Sequence, residues 1–239
     1  ARREGLGDLL AEGSWRAAQQ IGKGAEKFSM TVKKNEMTPF EARSQTNLAL
    51  GFAVSATGPR YEICEHDWDF DTEVGWDHTL NYCRTLGILD RIPMNYLGKE
   101  KVGMYKALND LWSAVDSLGM CIFASAPTRV YSLAEMAELY HNITGFETSS
   151  YEIMRLGNMR NQLFRWYNLR EGITAGQDTL PDRFFEQEID AGRLKGTKLD
   201  KEKFHEMIRF YYQMMGWDEQ GRPLEATMYD LGLDWLCKE

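Results

Sequence analysis

Residues 99–121 read KEKVGMYKALNDLWSAVDSLGMC, and this stretch decides the fold class. Its apolar residues recur at steps of four and three, at Met104, Leu108, Leu111, Val115 and Leu118. That spacing places them on one face of an α-helix. Gly119 follows, and glycine is the residue that most commonly ends a helix. We therefore expect a long amphipathic helix over Lys99–Leu118, with Asp116 in its last turn.

Most of the remaining chain also follows helical periodicity. Ser132-Leu-Ala-Glu135 and Ser149-Ser-Tyr-Glu152 have the spacing of capping boxes, which begin helices. Further apolar helical faces occur over residues 6–21, 46–54, 150–170 and 199–215, and a weaker one over 224–236. Only residues 28–33 alternate in the manner of a short strand. The sequence therefore predicts an all-α, multihelical fold with at most one short β element.

The composition excludes several classes of protein. The 239 residues suffice for one large domain or two small ones, and 36 acidic against 28 basic residues give a net charge of −8. A protein that binds nucleic acid usually has a basic excess instead. No apolar run approaches the ~18 residues that a membrane span needs. The chain begins ARRE, which we interpret as a cut end of a longer chain.

The cysteines and histidines form none of the common metal or catalytic motifs. No C-x-x-C pair and no H-E-x-x-H occurs, and G-x-S-x-G, Walker A and G-x-G-x-x-G motifs are also absent from the sequence. The cysteines are consistent with reduced thiols in a cytoplasmic protein. Alternatively, one of them is a metal ligand whose partner ligands lie elsewhere. They are Cys64, Cys83, Cys121 and Cys237.

The densest polar cluster covers residues 64–71 and reads CEHDWDFD. Its alternating aspartates resemble the opening of a calcium-binding loop. Thr72 and His78, however, stand where such a loop requires Gly and Glu, so calcium is rejected. Three interpretations stay open: a metal site formed by Cys64, His66 and Asp67, a solvated acidic loop anchored by its aromatic residues, and an active-site loop.

A second candidate site lies at the end of the long helix, where residues 116–121 read DSLGMC. The Asp116 carboxylate can accept two hydrogen bonds from a planar pair of N–H groups. Gly119 lets a ligand approach the backbone closely, and Cys121 can bind a soft metal as a thiolate. The segment therefore suits a flat polar heterocycle beside an iron–sulfur cluster, or is simply a helix C-cap with a buried cysteine.

These residues resemble the D-x-x-G-L-C motif of the tungsten-containing aldehyde:ferredoxin oxidoreductases, with Met120 in place of Leu. Further segments resemble the same family in the same order along the whole chain. They are residues 3–13 (REGLGDLLAEG), 167–172 (YNLREG), 178–184 (DTLPDRF), 211–212 (YY), 216–218 (GWD), 221–223 (GRP) and 231–233 (LGL).

The resemblance implies an all-helical, C-terminal portion of an enzyme that oxidises aldehydes to carboxylic acids and passes two electrons to ferredoxin. The family holds tungsten (or molybdenum) between two pterin dithiolenes beside a [4Fe-4S] cluster. By its motif, Asp116 hydrogen-bonds a pterin, Leu118 and Gly119 line it, and Cys121 is the fourth cluster ligand. The family's C-x-x-C-x-x-x-C motif does not occur in these residues.

The resemblance also implies an organisation and a location. Residues 1–44 would end a preceding helical domain, and residues 45–239 would form the C-terminal helical domain that carries the motif. We expect a cytoplasmic enzyme that uses ferredoxin or another electron carrier and has no nucleic-acid or membrane partner. A homodimer is compatible with this organisation.

The chain departs from the family near the metal. The family has a His after an A-T-S segment, and here Tyr61 stands at the matching place, with His66 five residues further on. We expect one of them to take the catalytic role of that His, although Tyr is the poorer acid or base near neutral pH. Two alternatives follow: a tungsten subunit like that of benzoyl-CoA reductase, and a non-catalytic helical interaction module.

Overall fold

The computed structural model describes residues 3–64, 66–125 and 130–238, and in them helices predominate. One antiparallel pair of two-residue strands, β1 Thr31–Val32 and β2 Asn35–Glu36, is the only sheet in these ranges. The prediction of an all-α, multihelical fold is therefore confirmed. The helices are α1 Leu6–Leu10, α2 Ser14–Ile21, α3 Thr46–Val54, α4 Asp77–Cys83, α5 Lys99–Ser117, α6 Ile122–Ser125, α7 Leu133–Thr144, α8 Ser150–Arg170, α9 Arg183–Glu186, α10 Lys201–Met215 and α11 Glu225–Asp230.

Local sequence signals set the ends of the longer helices. Both predicted capping boxes are present, with Ser132 and Ser149 each accepting a hydrogen bond from the backbone amide of the glutamate three residues later. The α5 helix ends as expected, because Gly119 adopts a left-handed φ of 69°. Its amide donates to the Asp116 carbonyl at 3.1 Å, and Met120 N donates to the Val115 carbonyl at 3.1 Å.

The prediction of one continuous helix over residues 6–21 is wrong. The chain forms α1 and α2 instead, because Gly13 interrupts it with a φ of 84° that a continuing helix cannot contain. Glu36 then stabilises the start of α2, since its Oε1 accepts a hydrogen bond from Ser14 N at 2.6 Å. The apolar periodicity therefore continued across a break in the backbone.

The core is organised around α5. Its first half packs with α3 and α10 in a large apolar cluster, and its second half contributes Leu111 and Val115 to a smaller cluster with α7 and α8. α5 and α8 approach so closely that a Cβ added to Gly157 would lie 1.7 Å from the Asp110 carbonyl oxygen. This crossing fixes the second half of α5 against α8.

The α3 helix is buried along its whole length. Its start is held by a carboxylate from residues 64–71, the acidic segment. Asp67 accepts hydrogen bonds from the amides of Asn47 and Leu48, at 3.0 and 3.2 Å. The same carboxylate pairs with the ammonium of Lys101 on α5 at 2.6 Å, and both side chains are fully buried. Asp67 therefore joins α3 to α5. Removing either partner of this pair would leave an unpaired buried charge, which typically costs about 3–5 kcal/mol.

A second buried ionic group connects the strand pair to the C-terminal helices. Asp178 pairs with Lys33 and with Arg165, both at 2.7 Å, and all three side chains are at least 97% buried. Tyr212 donates its hydroxyl to the same carboxylate. The Lys33–Asp178 pair crosses the predicted boundary near residue 44, and the division into two domains there stays a prediction.

In the described part of the chain, no helix combines the length and the apolarity that crossing a bilayer requires.

Candidate functional site at the end of helix α5

Asp116 lies in the last turn of α5 and faces Arg160 of α8. Its Oδ2 atom is 2.9 Å from Arg160 Nη2, and 44% of the Asp116 side chain is exposed. Arg160 also donates to Ser113 Oγ at 3.2 Å, and Ser113 in turn donates to Asn161 Oδ1 at 2.8 Å. Burial lowers the pKa of the Arg160 guanidinium, and the charge of Asp116 partly offsets that effect. The hydrogen-bond series holds the Asp116 carboxylate in one orientation.

Asp116 and Arg160 form one wall of a narrow cleft whose cavity volume is only about 30 Å³. The end of α3 and the segment after it form the facing wall. Asn109 Nδ2 on α5 donates to the Ile63 carbonyl at 2.8 Å and fixes that segment in place. The other lining residues are Val54, Ser55, Ala56, Thr57, Glu62, Trp112, Ser113, Asn161, Tyr211 and Trp217.

Two polar atoms that line this cleft are buried without a hydrogen-bond partner among the described residues. They are Oε2 of Glu62 and the indole Nε1 of Trp112. Trp112 is only 7% exposed, so water does not freely satisfy its N–H. Leaving a buried polar group unpaired costs about 1–3 kcal/mol, and native structures contain few such groups. The adjoining space of about 30 Å³ is large enough for one or two water molecules, which would satisfy both atoms.

The remaining residues of the 116–121 segment do not line the cleft. Leu118 is half-buried against the smaller core cluster, and Gly119 forms the helix end with open space where a Cβ would be. Cys121 is exposed one residue before α6. The expected pterin and cluster roles of these residues stay predictions. The open space at Gly119 and the exposure of Cys121 are compatible with a ligand that approaches from outside the described chain.

Tyr61 and His66 lie together but apart from Asp116. Their ring centroids are 6.1 Å apart, and His66 also contacts the rings of Phe40 and Trp68, at 4.9 and 5.8 Å. Neither residue lines the Asp116 cleft, although Glu62, the neighbour of Tyr61, does. Their proposed catalytic role stays a prediction.

The described residues of the acidic segment stabilise the fold. Asp67 is engaged by α3 and Lys101, as described above. Asp71 is also buried and accepts amide hydrogen bonds from Glu73, Val74 and Met94, at 3.0, 3.2 and 2.9 Å. Within the described ranges no group of three or more His, Cys, Asp or Glu side chains is arranged to hold a metal ion. The interpretation of residues 64–67 as a separate metal site therefore has no support in this geometry.

The Asp116 carboxylate suits a pterin, because the pyrimidinone edge of a pterin carries N–H groups that a carboxylate can accept. A group of that size would lie against the exposed side of Asp116, since the cleft itself encloses only about 30 Å³. A [4Fe-4S] cluster is held by four cysteine thiolates, and Cys121 can supply one of them. This chain would therefore contribute one face of a site whose other ligands come from elsewhere.

Sequence reasoning missed three residues of the cleft: Glu62, Trp112 and Arg160. Trp112 stands one helical turn before Asp116, and Glu62 adjoins Tyr61. Their positions next to predicted site residues could therefore have identified them. Arg160 is 44 residues from Asp116 and becomes its partner only because α8 crosses α5.

Comparisons with known proteins identify the family. The family model for "Aldehyde ferredoxin oxidoreductase, domains 2 & 3" matches residues 1–233. A tungsten-containing aldehyde ferredoxin oxidoreductase of Pyrococcus furiosus is 30% identical over 237 residues, which cover 98% of this chain and 35% of that protein. The homologous enzyme of Pyrococcus horikoshii is also 30% identical, over 238 residues and the same shares of both chains.

More distant relatives are named for other reactions. An aliphatic sulfonate oxidoreductase, WOR-like subunit, of Pyrococcus furiosus is 26% identical over 247 residues, 99% of this chain and 34% of that protein. The solved active-site complex BamBC of benzoyl coenzyme A reductase superposes with a TM-score of 0.73 at 20% identity, over 99% of this chain and 38% of that one, which establishes a shared fold.

The chain thus spans about a third of the length of the curated relatives that it matches. The family resemblance inferred from the 116–121 segment is confirmed. The chain belongs to the aldehyde ferredoxin oxidoreductase family, in the region of its domains 2 and 3.

Proposed function

We propose that this chain is the C-terminal portion of a tungstopterin and iron–sulfur oxidoreductase that oxidises aldehydes to carboxylic acids with ferredoxin as electron acceptor. The observation that carries the proposal is Asp116 at the end of α5. This motif carboxylate is oriented by Arg160 at 2.9 Å, and 44% of its side chain is exposed to a ligand. Membership of the family over residues 1–233 supports it.

The bound groups, a tungsten (or molybdenum) bis-pterin and a [4Fe-4S] cluster, supply the two-electron chemistry and its relay to the carrier. This chain's residues would hold and orient them. Asp116 would accept hydrogen bonds from pterin N–H groups, and Leu118 and Gly119 would line the pterin. Cys121 would supply one cluster thiolate from the exposed end of the segment.

Oxidation of an aldehyde with water to a carboxylic acid releases two electrons and two protons. An imidazole side chain is suited to accept such a proton, and we propose His66 for this role, with Tyr61 as a hydrogen-bond donor to the substrate oxygen. The edge contact between the two rings supports their acting together.

The proposal also covers the setting of the enzyme. We propose a cytoplasmic protein that delivers electrons to ferredoxin and can assemble as a homodimer. The acidic composition, with a net charge of −8, supports the absence of a nucleic-acid partner.

The full-length protein, purified without oxygen from a host that makes tungstopterin, tests the reaction. We expect reduction of ferredoxin or a viologen dye with short aldehydes and formation of the matching carboxylic acid in a ratio of two electrons per acid. An aliphatic sulfonate and benzoyl-CoA serve as comparison substrates. Turnover of either one without aldehyde oxidation would reject the aldehyde assignment and keep the family's redox chemistry.

A further inference from the structure

We propose that a groove beside α2 is the docking site for the part of the full-length chain that precedes residue 1. This groove, here called the α2 groove, has a volume of about 710 Å³. Its walls come from α2, from residues 26–31 and from residues 181–187 around α9. The inference rests on one part of the proposed function, that this chain is a portion of a longer enzyme.

Apolar side chains line the α2 groove, and the described chain leaves them open to solvent. Phe28 lines it with 78% of its surface exposed, and Trp15 and Ala18 of α2 add apolar surface to its wall. The volume of the groove is far larger than the ~30 Å³ that one water molecule occupies. Exposed apolar surface gathered at such a groove is typical of an interaction site.

Helix α1, which contacts α2, buries none of its five residues. Leu6 and Leu10 lie one turn apart on the same face of α1, and they are 69% and 63% exposed. Isolated helices shorter than about 12–15 residues are marginal in water, so a helix as short as α1 needs tertiary packing. A partner that covers the α2 groove can cover these leucines as well.

The occupant that fits this surface best is the earlier part of the same polypeptide. The matched family region is named domains 2 & 3, and this chain covers 35% of the Pyrococcus furiosus relative, so longer proteins of the family have further sequence for this surface. A segment joined to α1 is held near the groove at a high effective concentration. A second copy of the chain must instead meet the entropic cost of association.

The charged residues of the groove argue against a strongly charged small ligand. Both signs are present along its walls, in Glu26, Lys27, Asp182, Arg183 and Glu186. Asp182 pairs with Lys201 at 3.0 Å, and Arg183 Nε donates to Gln187 Oε1 at 2.5 Å. None of the buried, unpartnered polar atoms in the described ranges lines the groove. A polypeptide surface of mixed polarity therefore matches it better.

The first measurement uses the full-length protein with Phe28→Cys. Tyr229→Cys on α11 is the matched control, because Tyr229 is 74% exposed and does not line the groove. Each protein is treated with iodoacetamide, and peptide mass spectrometry reads the introduced position separately from the native cysteines. We expect labelling at position 28 to be at least about tenfold slower than at position 229, because a covered site reacts only after local opening.

Photo-cross-linking then identifies the occupant. The full-length protein carries benzoylphenylalanine in place of Phe28, and the same replacement of Tyr229 is the control. We expect irradiation to join position 28 to a peptide that precedes residue 1, in a product with the mass of one chain. A product of twice that mass would place a second copy at the groove and overturn the inference.

Equal labelling rates at positions 28 and 229 would also overturn the inference. Slow labelling at position 28 without a cross-link to the preceding sequence would assign the groove to another ligand or to local packing, and would contradict it. Tungsten, pterin and iron analysis of the same wild-type protein tests the proposed chemistry separately. A natural protein no longer than this chain would reject both the inference and the proposal that the chain is a portion of a longer enzyme.

Discussion

At the scale of single residues, the candidate site depends on a carboxylate with two uses. One oxygen of Asp116 pairs with Arg160 at 2.9 Å, and the other forms no hydrogen bond with another described residue. Ion pairs as exposed as this one contribute only about 0–1 kcal/mol to stability. The pair is therefore weak as a structural bond and well suited to orienting the second oxygen toward a ligand.

Asp116→Asn should reduce the pterin content of the full-length protein several-fold, because one acceptor of a charge-assisted hydrogen bond is replaced by an amide. Stability should change by less than about 1 kcal/mol. The matched control is Asp230→Asn, since Asp230 forms a similar exposed pair with Arg155 on the same helix at 3.0 Å. Pterin released from the denatured proteins gives the content by fluorescence. Equal pterin in both variants would show that Asp116 has only its ion pair.

Cys121→Ser should lower the iron content of the full-length protein from about four atoms per chain and abolish electron transfer to ferredoxin, because one thiolate ligand is lost. Cys237→Ser is the control, since Cys237 is also exposed. Iron analysis and the visible absorption of the cluster measure the effect. If the two variants keep the same iron and activity, Cys121 is not a cluster ligand.

At the scale of secondary structure, the crossing of α5 and α8 creates the site. It brings Arg160 to Asp116 and Asn161 to Ser113, and Gly157 makes the close approach possible. A change at the crossing should therefore alter both the stability of the protein and the geometry of the cleft.

Gly157→Ala should destabilise the protein by about 1–3 kcal/mol or more, because the new methyl would lie 1.7 Å from a backbone oxygen that cannot move aside cheaply. Gly103→Ala is the matched control within α5. There the nearest atom to the added Cβ is 4.0 Å away, so the higher helix propensity of alanine should leave stability unchanged or raise it by up to about 1 kcal/mol. Urea unfolding of the two variants decides, and equal midpoints would contradict the close packing.

The elements that the sequence predicted are those with local signals. The period of α5, the serine capping boxes and the glycine at the end of α5 all lie within one short stretch each, and the structure confirms them. The break at Gly13 was missed because apolar periodicity continued across it. The Arg160–Asp116 pair was beyond sequence reasoning, since it depends on how two helices cross.

At the scale of the whole molecule, buried carboxylates tie distant segments together and make stability depend on pH. Burial alone would raise the pKa of Asp71, but three amide hydrogen bonds, with the charge of Arg193, lower it below its ordinary value of 3.8. The folded state therefore favours the ionised form. Stability from Asp71 is complete above its unfolded pKa and is lost as the pH falls through the lower, folded one.

Asp71→Asn should lower stability near neutral pH and flatten the acid dependence below about pH 4. The amide offers one acceptor where the carboxylate has two, so either Met94 or the Glu73 and Val74 pair loses its partner. Urea midpoints measured between pH 2 and 7 compare the variant with the wild type. Parallel curves for the two proteins would show that Asp71 does not contribute to acid unfolding.

That a tungsten pterin and a four-iron cluster occupy the full-length protein is tested most directly by metal and pterin analysis after anaerobic purification from a cofactor-competent host. We predict tungsten or molybdenum, about four irons and two pterins per chain, with the broad visible absorption of an iron–sulfur cluster. Protein that is folded yet contains no such metal, no iron and no pterin would contradict this, and would mean that the fold of the family has been kept without its chemistry.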